Sequence, residues 1–366
     1  MPISAVDTVS LAIEHTKRQL FQPFRFGQWT RLAVVGLLAG ELSSSGGCNG
    51  SNFNFPQHPG ASPHNFPSLP GMDSALLVGL IVVIVFAALV FGIIMMYVSS
   101  VMRFVLFDSV ISKECRIRQG WNRRQNEGWR YFVWKLLYLV ITLGGCMALV
   151  GIPLVFTFAM GWFREPKEHL IPLVLGGVLL VLAMIFFLVA MTVIFVLTKD
   201  FVVPQMALEN ISAVEGWRRL WPMIQAEKGS YAGYIGMKIV MAIGAGIVVG
   251  IATLILGLII AIPTVGLSIL AVLTGQSAGL TWNAITITLA IVVGCVLLAI
   301  FLYLIALISV PVIVFFPAYS IYFFAARYPA LSAVLYPAPP VPPQISPAVA
   351  PPYEPPPLPP NAAPIG

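Results

Sequence analysis

Between Ile239 and Ala326 the chain runs for 88 residues without one Asp, Glu, Lys or Arg. A helix needs about 20 apolar residues to cross the hydrocarbon core of a bilayer. This interval therefore has room for more than one crossing. Soluble domains carry about 25% charged residues; here 9% of 366 residues are charged and 58% are hydrophobic. Water cannot solvate such a surface, so lipid must face most of it. In lipid each segment has to satisfy its own backbone groups, which leaves helices as the economical answer. The expectation is an all-α fold: a polytopic transmembrane helical bundle of about six spans, with cytoplasmic interfacial helices and a disordered Pro-rich tail.

The spans are predicted at about 27–46, 74–99, 132–162, 170–198, 232–263 and 284–316, with an amphipathic segment over 1–26 and the tail over 329–366. The first apolar run, Leu32 to Leu42, is short for a span. Charge argues that it crosses. If it does, Lys17, Arg18, Arg25 and Arg31 join the other basic loops, and eighteen of the twenty Lys and Arg residues lie on one side. That bias predicts cytoplasmic termini in a multi-pass protein. The eight tryptophans fall at predicted span ends or in inner loops, as interfacial belts require. An impermeant thiol reagent should then reach Cys48 but not Cys115.

Residues 3–21 place Ile3, Val6, Val9, Ile13 and Leu20 at helical spacing, with Ser4 and Asp7 as a capping pair. Two placements suit this helix: flat on the membrane or packed on the inner loops. The loop over 43–73 is rich in Ser, Gly, Asn and Pro. Its Asn49 sequon, its His58 and His64, and the approach to Cys48 are read as incidental rather than as glycosylation, metal or lipidation sites. The four cysteines form no C-x-x-C pair, so neither a disulfide framework nor a zinc site is expected. The net charge of +6 is spread over loops beside spans, which suits anionic lipid head groups and predicts no nucleic-acid binding.

Two inner segments share an order of features. Phe104-Val105 leads to Gly120-Trp121, Arg123-Arg124 and Lys135; Phe201-Val202 leads to Gly216-Trp217-Arg218-Arg219 and Lys238. A third exit, residues 310–324, resembles the start of this unit without its basic half. The pattern suggests duplicated hairpins. Ser212 and Glu215 form a second capping pair ahead of a stripe of Val214, Trp217, Trp221 and Ile224. The candidate lipid-head and interface residues are therefore Trp121, Arg123, Arg124, Trp217, Arg218, Arg219 and Trp221. Gly246 and Gly250 form a small-residue face, read as packing within the bundle rather than as a dimer seam.

The order Pro204, Glu209, Ala213, Gly216-Trp217-Arg218-Arg219 and Gly229, set between two spans, resembles a loop of uncharacterised bacterial multi-pass membrane proteins. These are similar to the membrane domain that accompanies some glycerophosphodiester phosphodiesterases. The resemblance covers residues 100–325 and includes no hydrolase part. It implies a membrane module in a bacterial inner membrane and no catalytic activity.

The later spans place almost no ionisable side chain in their interiors, whereas coupled carriers use Asp, Glu or His there. Asp108, Glu114, Glu209, Glu215 and Glu227 lie on the inner face without a histidine nearby, and are read as partners of arginines. No catalytic residue, cofactor or metal ligand is assigned. The reading is a non-catalytic membrane protein that binds lipid, or a protein partner through the Pro-rich tail. A carrier without charged coupling residues is the alternative, and a lipid-acting enzyme comes third.

Overall fold

A computed structural model describes residues 4–41, 74–162, 169–277 and 284–336. They form ten α-helices and no strand among the described residues. In chain order these are α1 (Asp7–Phe21), α2 (Phe26–Ala39), α3 (Ser74–Ser112), α4 (Ile117–Ala159), α5 (Leu170–Leu197), α6 (Val203–Glu209), α7 (Ala213–Ala226), α8 (Lys228–Ser277), α9 (Ala284–Ala325) and α10 (Pro329–Leu335). A π-helical turn, Thr198–Val202, joins α5 to α6.

Among the described residues, five helices are long and apolar enough to cross a membrane: Val78–Ser112, Ile117–Ala159, Leu170–Glu209, Lys228–Gly275 and Ile285–Ala325. They overlap all five later predicted spans and overrun each at its inner end. The stretch 103–130, expected as a loop, is the inner end of α3, a short connection and the first turns of α4. Residues 264–277, expected in an outer loop, continue α8. Polar residues do not end these helices: Arg124 is satisfied by Asp108 and Ala207 O of neighbouring elements, and Thr264, Ser268 and Thr274 by carbonyls of their own helix. The first predicted span behaves differently. Its helix α2 has 14 residues and rises only about 21 Å, short of the ~30 Å hydrocarbon core; the remainder of 27–46 beyond Glu41 lies outside the described residues.

The packed core lies at one end of the molecule. Phe104, Phe201, Tyr234, Tyr319, Phe323 and Phe324 are fully buried there. Residues 78–95 of α3, by contrast, are exposed throughout. The most apolar stretches of α3, α4 and α5 bury none of their residues within the chain. Lipid-facing spans thus radiate from a common hub.

Glycine permits the closest approaches in that hub. A methyl group at Gly128 would sit 2.6 Å from Val101 Cγ2, and one at Gly216 would sit 2.7 Å from Val202 Cγ1. At Gly36 it would collide with Ile313, which brings α2 against α9. Gly250 is different: a methyl there would meet nothing within 4 Å. The packing role assigned to it within the bundle is not realised, because this face of α8 opens outward.

Helix α1 answers the choice between surface and packing with an inversion. It buries Thr8, Ala12, His15, Thr16 and Gln19 against the bundle and leaves Val6 and Ile13 exposed. Gln19 donates to Ser109 O (2.9 Å), and the His15 ring bonds Val110 O and Tyr322 Oη, both at 3.0 Å. Of the apolar stripe, Leu20 is buried and Val9 half-buried, while Val6 and Ile13 face outward because the bundle offers polar partners to the other face. At the far end, residues 329–335 form α10 with Leu331 buried. The expected disordered tail therefore cannot begin at Pro329; the part beyond Tyr336 lies outside the described residues, as do Cys48, Asn49, His58 and His64.

Candidate functional site

The most chemically loaded place is the membrane-facing side of the hub, where side chains from five elements meet. Its construction starts at Pro204. Proline lacks the N–H that would close a turn onto residue 200, and its ring crowds that carbonyl. The helix widens into the π-turn Thr198–Val202, and such interruptions are frequent at functional sites. The turn presents Lys199 and Asp200 inward, with side chains 9% and 2% exposed.

Glu41 enters from α2. Gly40 takes a left-handed φ of 80° and its N–H bonds back to Gly36 O and Leu37 O. This is a helix stop that glycine makes without strain. It turns Glu41 into the interior, where the residue is 2% exposed. Glu41 bridges two cations: Arg103 from α3 at Oε1, and Lys199, which donates to Oε2 at 2.6 Å. Opposite them, α8 supplies Tyr234 and Lys238. Tyr234 Oη donates to Asp200 Oδ2 at 2.9 Å, and Lys238 pairs with the same oxygen. From α4, Lys135 Nζ donates to Ser99 Oγ at 3.3 Å.

Two cavities flank the Glu41–Arg103–Lys199 bridge. The larger, about 340 Å³, has Glu41, Arg103, Lys199, Asp200 and Lys238 at its polar end. Its walls are apolar: Val189, Val193 and Val196 of α5, Ile239 and Ala242 of α8, and Phe316 of α9. The smaller, about 280 Å³, is lined by Ser99, Arg103, Tyr131, Lys135, Phe195 and Lys199, with the end of α2. Arg103 and Lys199 line both. Burying charges this deeply is costly unless they are paired. Four cations here face two carboxylates, so the balance is positive.

Sequence reasoning missed this site. It placed Arg103, Lys135, Lys199 and Lys238 in inner loops, because each sits at the edge of an apolar run. A signal was nonetheless present in the repeat. Arg103 and Asp200 each immediately precede a Phe-Val pair, and Tyr131 and Tyr234 each stand four residues before a lysine. The structure gives the two copies equivalent packing. Gly120 lies against Val105 and Gly216 against Val202. Phe104 packs on Tyr131 edge-on at 5.9 Å, and Phe201 packs on Tyr234, tilted, at 5.0 Å.

The residues singled out for lipid heads divide. Arg123, Arg218 and Trp221 are exposed on the hub's outer surface. Arg124 is buried, which corrects its reading as a lipid contact. Its guanidinium forks onto Asp108 at 2.7 and 2.8 Å, reaches Glu127 at 3.3 Å and donates to Ala207 O at 2.7 Å. Trp217 is half-buried, and its indole N–H donates to Thr198 Oγ1 at 2.8 Å, bracing the π-turn. Trp121 stands edge-on to Tyr97. Arg219 is exposed but held by Glu209 and Glu215. Ser212 caps α7 by accepting from Glu215 N, as its spacing predicted. The acidic residues of this face do sit opposite arginines: Arg124 with Asp108, Arg116 with Glu114, and Arg327 with Glu227.

An all-helical fold with five helices, among the described residues, long and apolar enough to cross a membrane is that of a multi-pass membrane protein by length and composition. Residues 3–334 match a family of unknown function, DUF7544, and the chain belongs to that family. No curated protein and no solved structure gives a significant match.

Proposed function

We propose that this protein is a non-catalytic membrane module that holds an anionic amphiphile, a phospholipid with a negative head group, in the larger cavity. One observation carries the reading: a pocket whose floor bears Arg103, Lys199 and Lys238 beside Glu41 and Asp200, three cations to two carboxylates, and whose walls on α5 and α8 continue into lipid-exposed helix surface. A head group would meet the cations while its chain stays against apolar side chains, so neither part gives up its preferred surroundings. Exposed Arg123, Arg218 and Trp221 suit the head-group layer beside it. The arginine-paired carboxylates favour a binding role over catalysis. The likeness of the Pro204 to Gly229 loop to membrane domains accompanying glycerophosphodiester phosphodiesterases, and a bacterial inner membrane with cytoplasmic termini, belong to the same proposal. So does a protein partner for the Pro-rich segment.

Native mass spectrometry from mild detergent tests it. The wild-type chain should retain anionic phospholipid in preference to zwitterionic lipid, and Lys238→Gln should lose most of that preference. Equal retention of both lipids by the wild type would end the proposal. The π-turn beside the cluster favours a carrier as the second reading, since carriers bind at interrupted helices. Substrate-dependent uptake into reconstituted vesicles would select it.

A further inference from the structure

The smaller cavity contains a cation that the larger one does not use. Lys135 Nζ is half-buried, and among the described residues its hydrogen-bond partner is Ser99 Oγ at 3.3 Å. An ammonium has three protons to donate, and no carboxylate of the described residues lies within ion-pair distance of this one. Among the described residues no acid lines this cavity, and Glu41, which follows the Ala39 and Gly40 of its rim, spans Arg103 and Lys199 instead. Around the same space stand Arg103 and Lys199, the Ser99 hydroxyl and the Tyr131 phenol. Donors therefore converge from α3, α4 and the π-turn upon a volume of about 280 Å³, room for several waters at roughly 30 Å³ each.

We infer that this second cavity is a binding site for a phosphate-class oxyanion, separate from the amphiphile pocket on the other side of the Glu41 bridge. A tetrahedral oxyanion offers acceptors in several directions, which suits a forked guanidinium, two ammonium groups and two hydroxyls arranged around it better than a flat carboxylate would. It would also supply the negative charge that Lys135 lacks. The anion's source is either free phosphate or the phosphate of a lipid head group, and the chemistry of the cavity is common to both.

The two cavities can be tested apart because Lys135 lines only the smaller and Lys238 only the larger. The purified full chain in detergent is titrated with inorganic phosphate, with chloride at matched ionic strength as control, and its thermal unfolding is followed. The same chain in nanodiscs is titrated with phosphatidylglycerol against phosphatidylcholine. Phosphate or phosphatidylglycerol should stabilise the wild type. K135Q should weaken that binding about tenfold, the worth of one charged hydrogen bond, and K238Q should leave phosphate binding within about twofold. Stabilisation by phosphate in detergent marks a free-anion site, and stabilisation by phosphatidylglycerol alone marks a head-group site; either one, when lost in K135Q, supports the inference. If K135Q does not yield folded protein, S99A with K135R decides. S99A should weaken binding about threefold through one neutral hydrogen bond, and K135R should retain it. No stabilisation of the wild type by either ligand, or equal binding in wild type and K135Q, overturns the inference. Phosphatidylglycerol binding lost in K238Q but unchanged in K135Q overturns it too and leaves the amphiphile proposal standing.

Discussion

Arg123 and Arg124 are neighbours in the chain with opposite surroundings. Arg123 points outward, while Arg124 crosses to Asp108, Glu127 and Ala207 O within the hub. Removing one partner of a buried ion pair leaves the other uncompensated. Arg124→Ala should therefore destabilise the protein by about 3 kcal/mol, while Arg123→Ala should stay within about 0.5 kcal/mol; thermal unfolding in detergent measures both. No feature of the Arg-Arg pair in the sequence marks which one turns inward, because that depends on α6 arriving from 83 residues away. His15 shows the same dependence. It is enclosed by α1, α3 and α9, and burial pushes its pKa below the ordinary imidazole value, with Lys113 adding to the effect. A folded-state pKa below the unfolded one makes the neutral ring the stabilising form. Its contribution is intact above about pH 6.5 and is lost as pH falls through the lowered folded value. Wild-type melting temperature should decline below that point, and His15→Gln should flatten the decline.

At the level of elements, the sequence disclosed where helices lie better than where they stop. Apolar runs located all five membrane-length helices, because the lipid requirement acts on windows of residues. Helix ends were misplaced at the basic segments, since a run of arginines looks the same whether it faces water or a buried carboxylate. The duplicated order of features proved informative. Both copies seat a glycine on the valine of a Phe-Val pair, at Gly120 on Val105 and Gly216 on Val202. Gly216→Ala should strain the contact of α7 with the π-turn and cost about 1–3 kcal/mol. Val202→Ala in the same chain should recover part of that loss by vacating the space. Gly250→Ala, facing open space, should change the unfolding temperature little or raise it slightly. The charged site itself was hidden because its members come from five separate elements, each charge beside a different apolar run.

For the whole molecule, sidedness is the property most open to experiment. Cys115 is a poor reporter of it: the thiol is buried and its pKa is raised by that burial, so it should stay unreactive from either side. Exposed Asn126 is a better one. In a Cys48→Ser background, Asn126→Cys should react with an impermeant thiol reagent only after cells are permeabilised. Labelling in intact cells would reverse the proposed orientation. The arrangement of spans around a hub packed at one end has a mechanical corollary. Protein contacts fix the helices at the root, so over the rest of their length their spacing is set by the acyl chains between them. Bilayer thickness and lateral pressure then act on the angle between α5 and α8, and through it on the width of the pocket they enclose. Changing chain length in reconstituted bilayers should tune ligand affinity with no alteration to the protein.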